Sequence, residues 1–242
     1  MIELCDVHKA FGTQQVLRGL DLRVEAGTSY AVMGPSGSGK SVLLKHVIGL
    51  LRPDSGKVLV AGHSVADLRR DELQRLRRDM GYLFQYGALI NWLTVFDNIA
   101  LPLRETTTQS EAEIRERVDR VLGQVHLEGA HTKYPSEISG GMQKRVGLAR
   151  ALVTEPRIIL YDEPEAGLDP GMSQAVSELM REIQSETGMT SLVVTHSELC
   201  AGIVADRMGI FEKGRFLIEG TPREVLDSDH PRVREFLGDK RA

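Results

Sequence analysis

The sequence predicts an α/β protein that combines a largely parallel sheet, an antiparallel β layer at the N-terminus and an inserted α-helical subdomain. Three observations lead to this prediction. Strand-like and helix-like apolar patterns alternate along the chain, a glycine-rich loop follows an apolar strand, and residues 91–151 are mostly helical in pattern. We therefore expect one domain over residues 1–242, in which residues 1–90 and 152–242 form the β layer and a discontinuous core.

The first strands follow from short apolar patterns. Residues 2–7 and 16–24 have the composition of strands in a small β layer, and residues 29–33 form an apolar strand that ends at a glycine. A helix is expected from about Gly39. This order places the glycine-rich loop at the end of a core strand.

Two later segments have helical patterns. Residues 67–79 are so rich in charge that we interpret them as a helix with a solvated face. Residues 110–127 carry apolar side chains at helical spacing, which predicts a helix packed on a core. The stripe consists of Ile114, Val118, Val121, Leu122 and Val125.

Composition narrows the class of protein. The chain of 242 residues is 41% hydrophobic and 26% charged, which is typical of a soluble globular protein. A net charge of -4 and a pI near 6.0 disfavour a nucleic-acid partner.

We interpret Cys5 and Cys200 as free thiols in a reducing compartment. We expect no signal peptide, and the most apolar run, residues 42–51, is too short to span a bilayer, so a membrane role requires another chain.

The glycine-rich loop after the first core strand matches the pattern G-x-x-x-x-G-K-[ST]. Glycines let backbone N–H groups wrap a phosphate, the lysine supplies positive charge to the β- and γ-phosphates, and the last hydroxyl is a ligand for Mg²⁺. We assign these last two roles to Lys40 and Ser41. The predicted nucleotide-binding segment comprises Gly34, Pro35, Ser36, Gly37, Ser38, Gly39, Lys40, Ser41 and Val42.

Two acidic residues follow an apolar strand at residues 157–161. Ligands bind α/β sheets at the carboxyl ends of the strands. We expect Asp162 to hold the hydration shell of Mg²⁺ and Glu163 to polarise the attacking water as a general base. Glu165 lies two residues further on, and we interpret it as a charge on the surface of the loop.

Two more polar residues follow predicted strands. His196 comes after the apolar strand at residues 191–195, where it can reach a γ-phosphate oxygen or the attacking water. Gln85 follows the strand-like residues 80–84 and is placed to ligate Mg²⁺ and to sense the γ-phosphate. Together with Glu163, these are the predicted catalytic residues.

A second candidate anion site begins a later helix at Ser139, Gly140 and Gly141. Free backbone N–H groups and the helix dipole favour phosphate at such a position. One domain needs only one phosphate loop for its own nucleotide. The second loop therefore needs a separate explanation.

With these motifs, essentially the whole chain resembles the ATP-binding subunits of ABC transporters. Six motifs occur in the order typical of that family, and one aromatic residue matches the ring that stacks on adenine. They are the Walker A loop (34–41), the Q-loop (Gln85), the signature loop (138–142), the Walker B strand (158–163), the D-loop (166–169), the switch histidine (His196) and the aromatic residue Phe11.

The resemblance implies a P-loop NTPase (RecA-like) core, with a helical subdomain at residues 91–151 that carries the signature loop. It also implies a head-to-tail dimer, in which the signature loop of one protomer closes on the ATP held by the other. ATP and Mg²⁺ are the implied cofactors. The implied partner is an integral-membrane permease, with this subunit peripheral at the cytoplasmic face of the inner membrane. The residues implied to bind the partner's nucleotide are Ser139, Gly140, Gly141, Met142 and Asp169.

The chain departs from the family pattern at two positions: Met142 stands where glutamine is usual, and Glu165 where threonine is frequent.

A finer resemblance to the MlaF-type ATPases of Mla/Mce lipid transport systems implies phospholipid transport and a Mce-type substrate-binding protein in the same complex. The alternatives are an importer of another substrate, an ABC ATPase in cell-division signalling or scaffold assembly, and a nucleotide-binding module without turnover. The finer resemblance lies in residues 84–89, 94–98, 102–105, 139–142 and 231–237.

Two apolar segments complete the predictions. Residues 86–103 follow the Q-loop and contain Trp92, the only tryptophan of the chain. We expect part of this segment to be core and part to bind a permease helix. Residues 230–237 predict a short helix whose apolar face packs on its own domain or on the other protomer.

Overall fold

The structure, a computed structural model, describes residues 1–238. Its strands, numbered in chain order, begin with a hairpin and later alternate with helices. They are β1 (Ile2–Phe11), β2 (Gln14–Val24), β3 (Ser29–Met33), β4 (Ser55–Val60), β5 (His63–Ser64), β6 (Met80–Leu83), β7 (Ile158–Asp162), β8 (Thr190–Thr195), β9 (Arg207–Glu212) and β10 (Arg215–Gly220).

The helices are numbered in the same way, and a short 3-10 turn at Pro135–Glu137 precedes the fifth of them. Each helix over residues 1–238 lacks the length or the apolar composition needed to cross a lipid bilayer. They are α1 (Lys40–Val47), α2 (Arg70–Arg78), α3 (Val95–Thr106), α4 (Glu111–Gln124), α5 (Gly140–Leu152), α6 (Pro170–Thr187), α7 (Glu198–Val204), α8 (Pro222–Leu226) and α9 (Pro231–Leu237).

The strands form two sheets. An antiparallel sheet in the order β2-β1-β4-β5 makes the N-terminal layer, and a second sheet in the order β10-β9-β3-β8-β7-β6 makes the core. In the core sheet β10 is antiparallel to β9, and all other pairs are parallel. The predicted fold class is confirmed. Because parallel strands place their carboxyl ends at one edge, the residues that follow β3, β6, β7 and β8 meet there.

The core sheet is buried on both faces, as parallel sheets usually are. Side chains of β3 alternate between the two faces. Tyr30 and Val32 pack with the β layer and α1, whereas Ala31 and Met33 pack with α3 to α7 on the other side. This burial on both faces fixes the position of the carboxyl edge, where the predicted site residues lie.

Between β6 and β7 the chain forms α3, α4 and α5. The helix α4 begins at a capping box, in which the Ser110 hydroxyl accepts the Glu113 N–H and the Glu113 carboxylate accepts the Ser110 N–H. Helix α5 ends at Leu152. The boundaries of the helical subdomain at 91 and 151 remain predictions. The apolar stripe predicted for this region is buried at all five positions, Ile114, Val118, Val121, Leu122 and Val125.

Some elements have ends that differ from the sequence pattern. The strands β1 and β2 run longer than predicted and pair, with register shifts on the way, as far as Phe11 with Gln14, because a tight turn at Gly12 (φ +60°) connects them directly. The charged helix begins at Arg70 rather than near 67, because Arg69 has an extended backbone and its N–H donates to the Glu72 carboxylate (2.9 Å). Local hydrogen bonds, which the apolar pattern does not show, set these ends.

Candidate functional site

The phosphate loop lies between β3 and α1, as predicted. Lys40, the first residue of α1, is 4% exposed, and its Nζ donates hydrogen bonds to the carbonyl oxygens of Gly34 (2.8 Å) and Pro35 (2.9 Å). Burial lowers the pKa of Lys40, and nearby carboxylates, Glu163 foremost, oppose that shift. The ammonium is therefore held inside its own loop, where phosphate oxygens can replace the two carbonyls.

Two glycines of the loop leave no room for a side chain. A Cβ on Gly34 would lie 2.3 Å from the Phe211 carbonyl oxygen, and a Cβ on Gly39 would lie 2.5 Å from a methyl group of Val16. Gly39 also has a φ of +106°, which L side chains rarely adopt. The buried hydroxyl of Ser38 has no hydrogen-bond partner among residues 1–238. A loop that allows close backbone approach and offers an unpaired hydroxyl fits a bound phosphate.

Asp162, at the end of β7, faces the last residue of the loop. Its Oδ1 accepts a hydrogen bond from the Ser41 hydroxyl (2.8 Å), and its Oδ2 accepts one from the Tyr82 hydroxyl (3.0 Å). Burial and the charge of Asp162 raise the pKa of Tyr82, so its hydroxyl stays a donor. In the described part of the chain, no three His, Cys, Asp or Glu side chains are grouped to hold a metal ion. One hydroxyl and one carboxylate do fit Mg²⁺, which keeps several waters and phosphate oxygens as ligands.

The three predicted catalytic residues lie together at the carboxyl edge of the core sheet. The Glu163 carboxylate accepts a hydrogen bond from Gln85 Nε2 (2.8 Å), and it lies 3.6 Å from His196 Nδ1 and 3.8 Å from Lys40 Nζ. The Glu163 N–H donates to the Val194 carbonyl oxygen of β8 (2.8 Å). The strand ends thus bring a carboxylate, an amide and an imidazole to the mouth of the phosphate loop.

Glu165 is buried, and its predicted position on the loop surface is wrong. The residue is 6% exposed; its Oε1 accepts a hydrogen bond from the Thr195 hydroxyl and lies 3.8 Å from His196 Nδ1. Its Oε2 has no hydrogen-bond partner within residues 1–238. After β7 the chain turns back, with the Leu168 N–H bonded to the Glu165 carbonyl oxygen (3.1 Å). This turn folds the side chain under the end of β8, 30 residues further along the chain.

The second predicted anion site forms the start of α5. Ser139 is the N-cap, and its hydroxyl accepts a hydrogen bond from the Met142 N–H (3.3 Å). Ser139 and Gly140 are exposed, whereas Gly141 is covered by the side chain of Met172. Over the described residues, no hydrogen bond or ion pair joins this loop to the phosphate loop. The structure therefore does not bring the two predicted anion sites of one chain together.

Other predicted ligand residues flank these loops. Phe11, at the end of β1, is exposed, and the Lys9 ammonium lies 5.6 Å from the centre of its ring. Asp169 is the N-cap of α6, where its Oδ1 accepts a hydrogen bond from the Met172 N–H (3.0 Å). These positions leave the ring of Phe11 accessible to a ligand and the Asp169 carboxylate at a helix start. Of the remaining loop residues, Pro35, Ser36 and Gly37 are exposed and Val42 is half-buried.

Sequence reasoning missed two residues of the site. Tyr82 is a donor to the Walker B aspartate, and Lys144 of α5 is 5% exposed, with its Nζ donating to the Gln85 carbonyl oxygen. Helical spacing does indicate that Lys144 is buried. Gly147 and Leu148, three and four residues later, lie on the same face of α5, and both are buried. No pattern distinguishes Tyr82, since an aromatic residue in a strand is an ordinary core residue.

Comparison with known proteins shows which chains share this arrangement. The family model described as "ABC transporter" matches residues 17–166. The chain is 45% identical over 241 residues to the probable ribonucleotide transport ATP-binding protein mkl of Mycobacterium leprae (strain TN), which covers 99% of this chain and 69% of that protein. It is 39% identical to the methionine import ATP-binding protein MetN 1 of Shouchella clausii (strain KSM-K16), over 98% of this chain and 70% of that protein.

A plant protein and a solved structure extend the comparison. The chain is 39% identical to the protein TRIGALACTOSYLDIACYLGLYCEROL 3, chloroplastic, of Arabidopsis thaliana, over 98% of this chain and 73% of that protein. The dimeric structure of the ATP-binding cassette MJ0796 in a post-hydrolysis state, bound to ADP and Pi, superposes with a TM-score of 0.83 at 35% identity, over 92% of this chain and 99% of that chain. The similarity therefore includes both the β layer and the inserted helices.

Proposed function

The chain belongs to the ABC transporter family, and on that premise we propose that it drives Mce-type phospholipid transport between bacterial membranes. As a member of this family it binds ATP, and its ATPase activity is coupled to transport. The observation that supports the proposed mechanism is the meeting of Glu163, Gln85 and His196 beside the buried Lys40. Each of these side chains has a geometry that suits one role.

In the proposed mechanism the phosphate loop binds the nucleotide and the strand ends catalyse. Lys40 supplies charge to the β- and γ-phosphates, because its ammonium lies inside the loop. Ser41, Gln85 and Asp162 would hold Mg²⁺, which neutralises phosphate charge when bound. Glu163 takes a proton from the attacking water as general base, and Gln85, which donates to the same carboxylate, keeps it oriented.

His196 is the proposed sensor of the γ-phosphate. Its Nδ1 faces the carboxylates of Glu163 (3.6 Å) and Glu165 (3.8 Å), which leaves Nε2 for a γ-phosphate oxygen. Phe11 is proposed to stack on the adenine, since its ring is exposed. Both ends of the nucleotide would then contact side chains that already have an accessible surface.

We propose a head-to-tail dimer as the functional form. In it, the start of α5 with Ser139, Gly140, Gly141 and Met142, together with Asp169 at the start of α6, would contact the ATP held by the partner. Two observations support this arrangement. The signature loop is not joined to the phosphate loop of its own chain within residues 1–238. The related cassette MJ0796 was solved as a dimer.

The permease is proposed to dock beside the Q-loop. A cavity of about 600 Å³ between β6 and α3 is lined by apolar groups that include Phe84, Ile90 and Pro102, and by three arginines and one glutamate at its polar side. Trp92, two residues after Ile90, is 79% exposed, whereas Val95 of the same segment is fully buried and belongs to the core. A largely apolar groove, in the same chain segment as an exposed aromatic ring, suits a short permease helix. This docking would hold the subunit peripherally at the cytoplasmic face of the inner membrane.

The lipid cargo and the Mce-type partner rest on the finer resemblance of short segments. The names of these relatives point to more than one kind of cargo. One is named for trigalactosyldiacylglycerol, a galactolipid, and the others for ribonucleotide transport and methionine import. Phospholipid transport is the proposal, and a methionine importer is the second candidate because of its 39% identity to this chain.

Purification of the tagged chain from its native membranes tests the proposal. We expect a permease and a Mce-type protein to co-purify, and ATP to drive transfer of a fluorescent phospholipid by the complex in proteoliposomes. The matched Lys40→Ala complex should assemble but transfer no lipid. Recovery of the chain without a permease would favour a signalling or scaffold ATPase. ATPase stimulation by methionine but not by phospholipid would favour the importer.

A further inference from the structure

One buried lysine of the signature helix contacts two parts of the catalytic site at once. Lys144 lies in the second turn of α5 and is 5% exposed. Its Nζ donates a hydrogen bond to the Gln85 carbonyl oxygen and a longer one to the Glu163 carbonyl oxygen (3.4 Å). Burial lowers the pKa of Lys144. Three nearby carboxylates oppose this shift, with the largest effect from Glu165, then Glu163 and then Asp162. A single charged group therefore joins the signature helix, the Q-loop and the end of β7.

The backbone of Glu163 is strained and is held by hydrogen bonds at both of its peptide groups. Glu163 has a φ of +47°, in the left-handed region that a non-glycine residue seldom occupies. Its N–H is fixed by the Val194 carbonyl oxygen (2.8 Å), and its own carbonyl oxygen accepts hydrogen bonds from the Ala166 N–H (3.1 Å) and from Lys144 (3.4 Å). With both peptide groups held, the carboxylate stays at Gln85 Nε2 (2.8 Å). Loss of the Lys144 bond would weaken the hold on this carbonyl oxygen and let the carboxylate shift away from Gln85.

Glu165 supplies the opposite charge in the same buried region. Its Oε1 is bonded by the Thr195 hydroxyl, and its Oε2 has no hydrogen-bond partner among residues 1–238. A buried charge without an opposite charge nearby is strongly destabilising, so an ammonium and a carboxylate in one region offset each other. Glu165 stands where the family resemblance implies threonine. The buried ammonium of Lys144 explains an acid at this position, because the two opposite charges offset each other.

We propose that Lys144 is a positioning residue for Glu163: it acts through the carbonyl oxygens of Glu163 and Gln85, and Glu165 balances its charge. One consequence rests on the proposed head-to-tail dimer. The partner's ATP would contact Ser139 at the start of α5, about one turn before Lys144. Closure of the dimer would then move the backbone of the catalytic residue in the same chain, so that hydrolysis at one site depends on nucleotide at the other.

The full-length variant Lys144→Met tests this proposal, and Lys133→Met is the matched control because Lys133 is exposed. In Lys144→Met we expect unchanged ATP affinity and KM, with kcat lowered about tenfold to a hundredfold, as for lost hydrogen bonds from a charged donor. In the nucleotide-free chain, amide exchange over residues 163–168 should become about tenfold faster. Lys133→Met should match the wild type in every measurement. Equal kcat in Lys144→Met and Lys133→Met would overturn the proposal.

A double variant separates positioning from folding. Lys144→Met removes one of the positive charges that act on Glu165 and should lower thermal stability, whereas Lys144→Met/Glu165→Gln removes both charges and should regain most of it. A positioning role requires that kcat stays low in the double variant. Return of kcat together with stability would establish a purely structural role, and failure of the double variant to fold would refute the charge balance. If the wild-type complex moved no lipid but Lys144→Met still lowered kcat, the proposed cargo would fail and this inference would stand.

Discussion

Replacement of Glu163 by glutamine is the sharpest test of the proposed catalytic base. Glutamine has nearly the same shape, so Glu163→Gln removes the charge and the basicity but keeps an oxygen that can accept the hydrogen bond from Gln85 Nε2 (2.8 Å). The backbone contacts of the residue, to Val194, Ala166 and Lys144, do not involve its side chain. The change should therefore leave the fold intact, so that a loss of turnover reports on the lost carboxylate.

Two quantities set the expected magnitude. The Glu163 carboxylate lies 3.8 Å from Lys40 Nζ, and unit charges at about that distance attract by about 4 kcal/mol at an effective dielectric constant of about 20. Removal of this carboxylate frees the Lys40 ammonium for phosphate, so ATP affinity should be retained or increased. General-base assistance contributes about 10² to 10⁴ in rate, so kcat should fall by at least about two orders of magnitude.

Phosphate release and equilibrium ATP binding, measured on the same preparations, check both expectations. ATP should also hold the dimer of Glu163→Gln closed, which size-exclusion chromatography detects. Glu165→Gln is the comparison, because it removes a carboxylate two residues away; it should lose less activity, since that carboxylate is buried and bonded by Thr195. Abolished turnover in Glu165→Gln with turnover retained in Glu163→Gln would refute the assignment.

Three further predictions concern the permease groove, the C-terminal helix and acid stability. Trp92→Glu should fold and bind ATP like the wild type, because the ring is 79% exposed, but should lose the permease on co-purification; normal complex formation and transport would contradict the docking proposal. Deletion from residue 231 onward removes the fully buried Val233 and should lower Tm by about 4–10 °C; unchanged Tm and unchanged dimerisation would show that α9 packs on neither protomer. Hydrogen bonds from the N-cap threonine of α3 and from Arg104 hold the pKa of Asp97 below its ordinary value of 3.8. They therefore stabilise the fold above about pH 4, and this contribution is lost as pH falls through the lowered pKa. Asp97→Asn should lower Tm at pH 7, and this loss of Tm should become smaller as pH falls below 3.8; a loss of Tm that does not change with pH would contradict this account.

The nucleotide site could be predicted because its determinants are local. The strand at residues 29–33, the loop and the helix that begins at Lys40 are adjacent in sequence, and each has its own signal: an apolar run, glycines and a lysine. Positions after strands were equally informative. Parallel strands place their carboxyl ends together, so Gln85, Glu163 and His196 could be expected to meet before any distance was known.

The contacts that orient these residues are not local, and the sequence pattern did not show them. Tyr82 and Asp162 are 80 residues apart, and Lys144 and Gln85 are 59 residues apart. Glu165 looked like a surface charge because its neighbours are those of a loop. Its burial depends on a turn that packs it under β8, and no property of the residues around position 165 specifies which strand lies above them.

The charges at the carboxyl edge show how these non-local contacts work together. Asp162, Glu163 and Glu165 are three carboxylates, and Lys40 and Lys144 are two ammonium groups whose charged forms they favour. Bound phosphate would add negative charge on the side of Lys40, which would then turn from Glu163 to the nucleotide. Lys144 cannot follow, because two backbone carbonyl oxygens hold it beneath the edge. In the proposed mechanism one lysine serves the substrate and the other holds the catalytic residue in place, and the acid at position 165 favours the charged form of the second lysine.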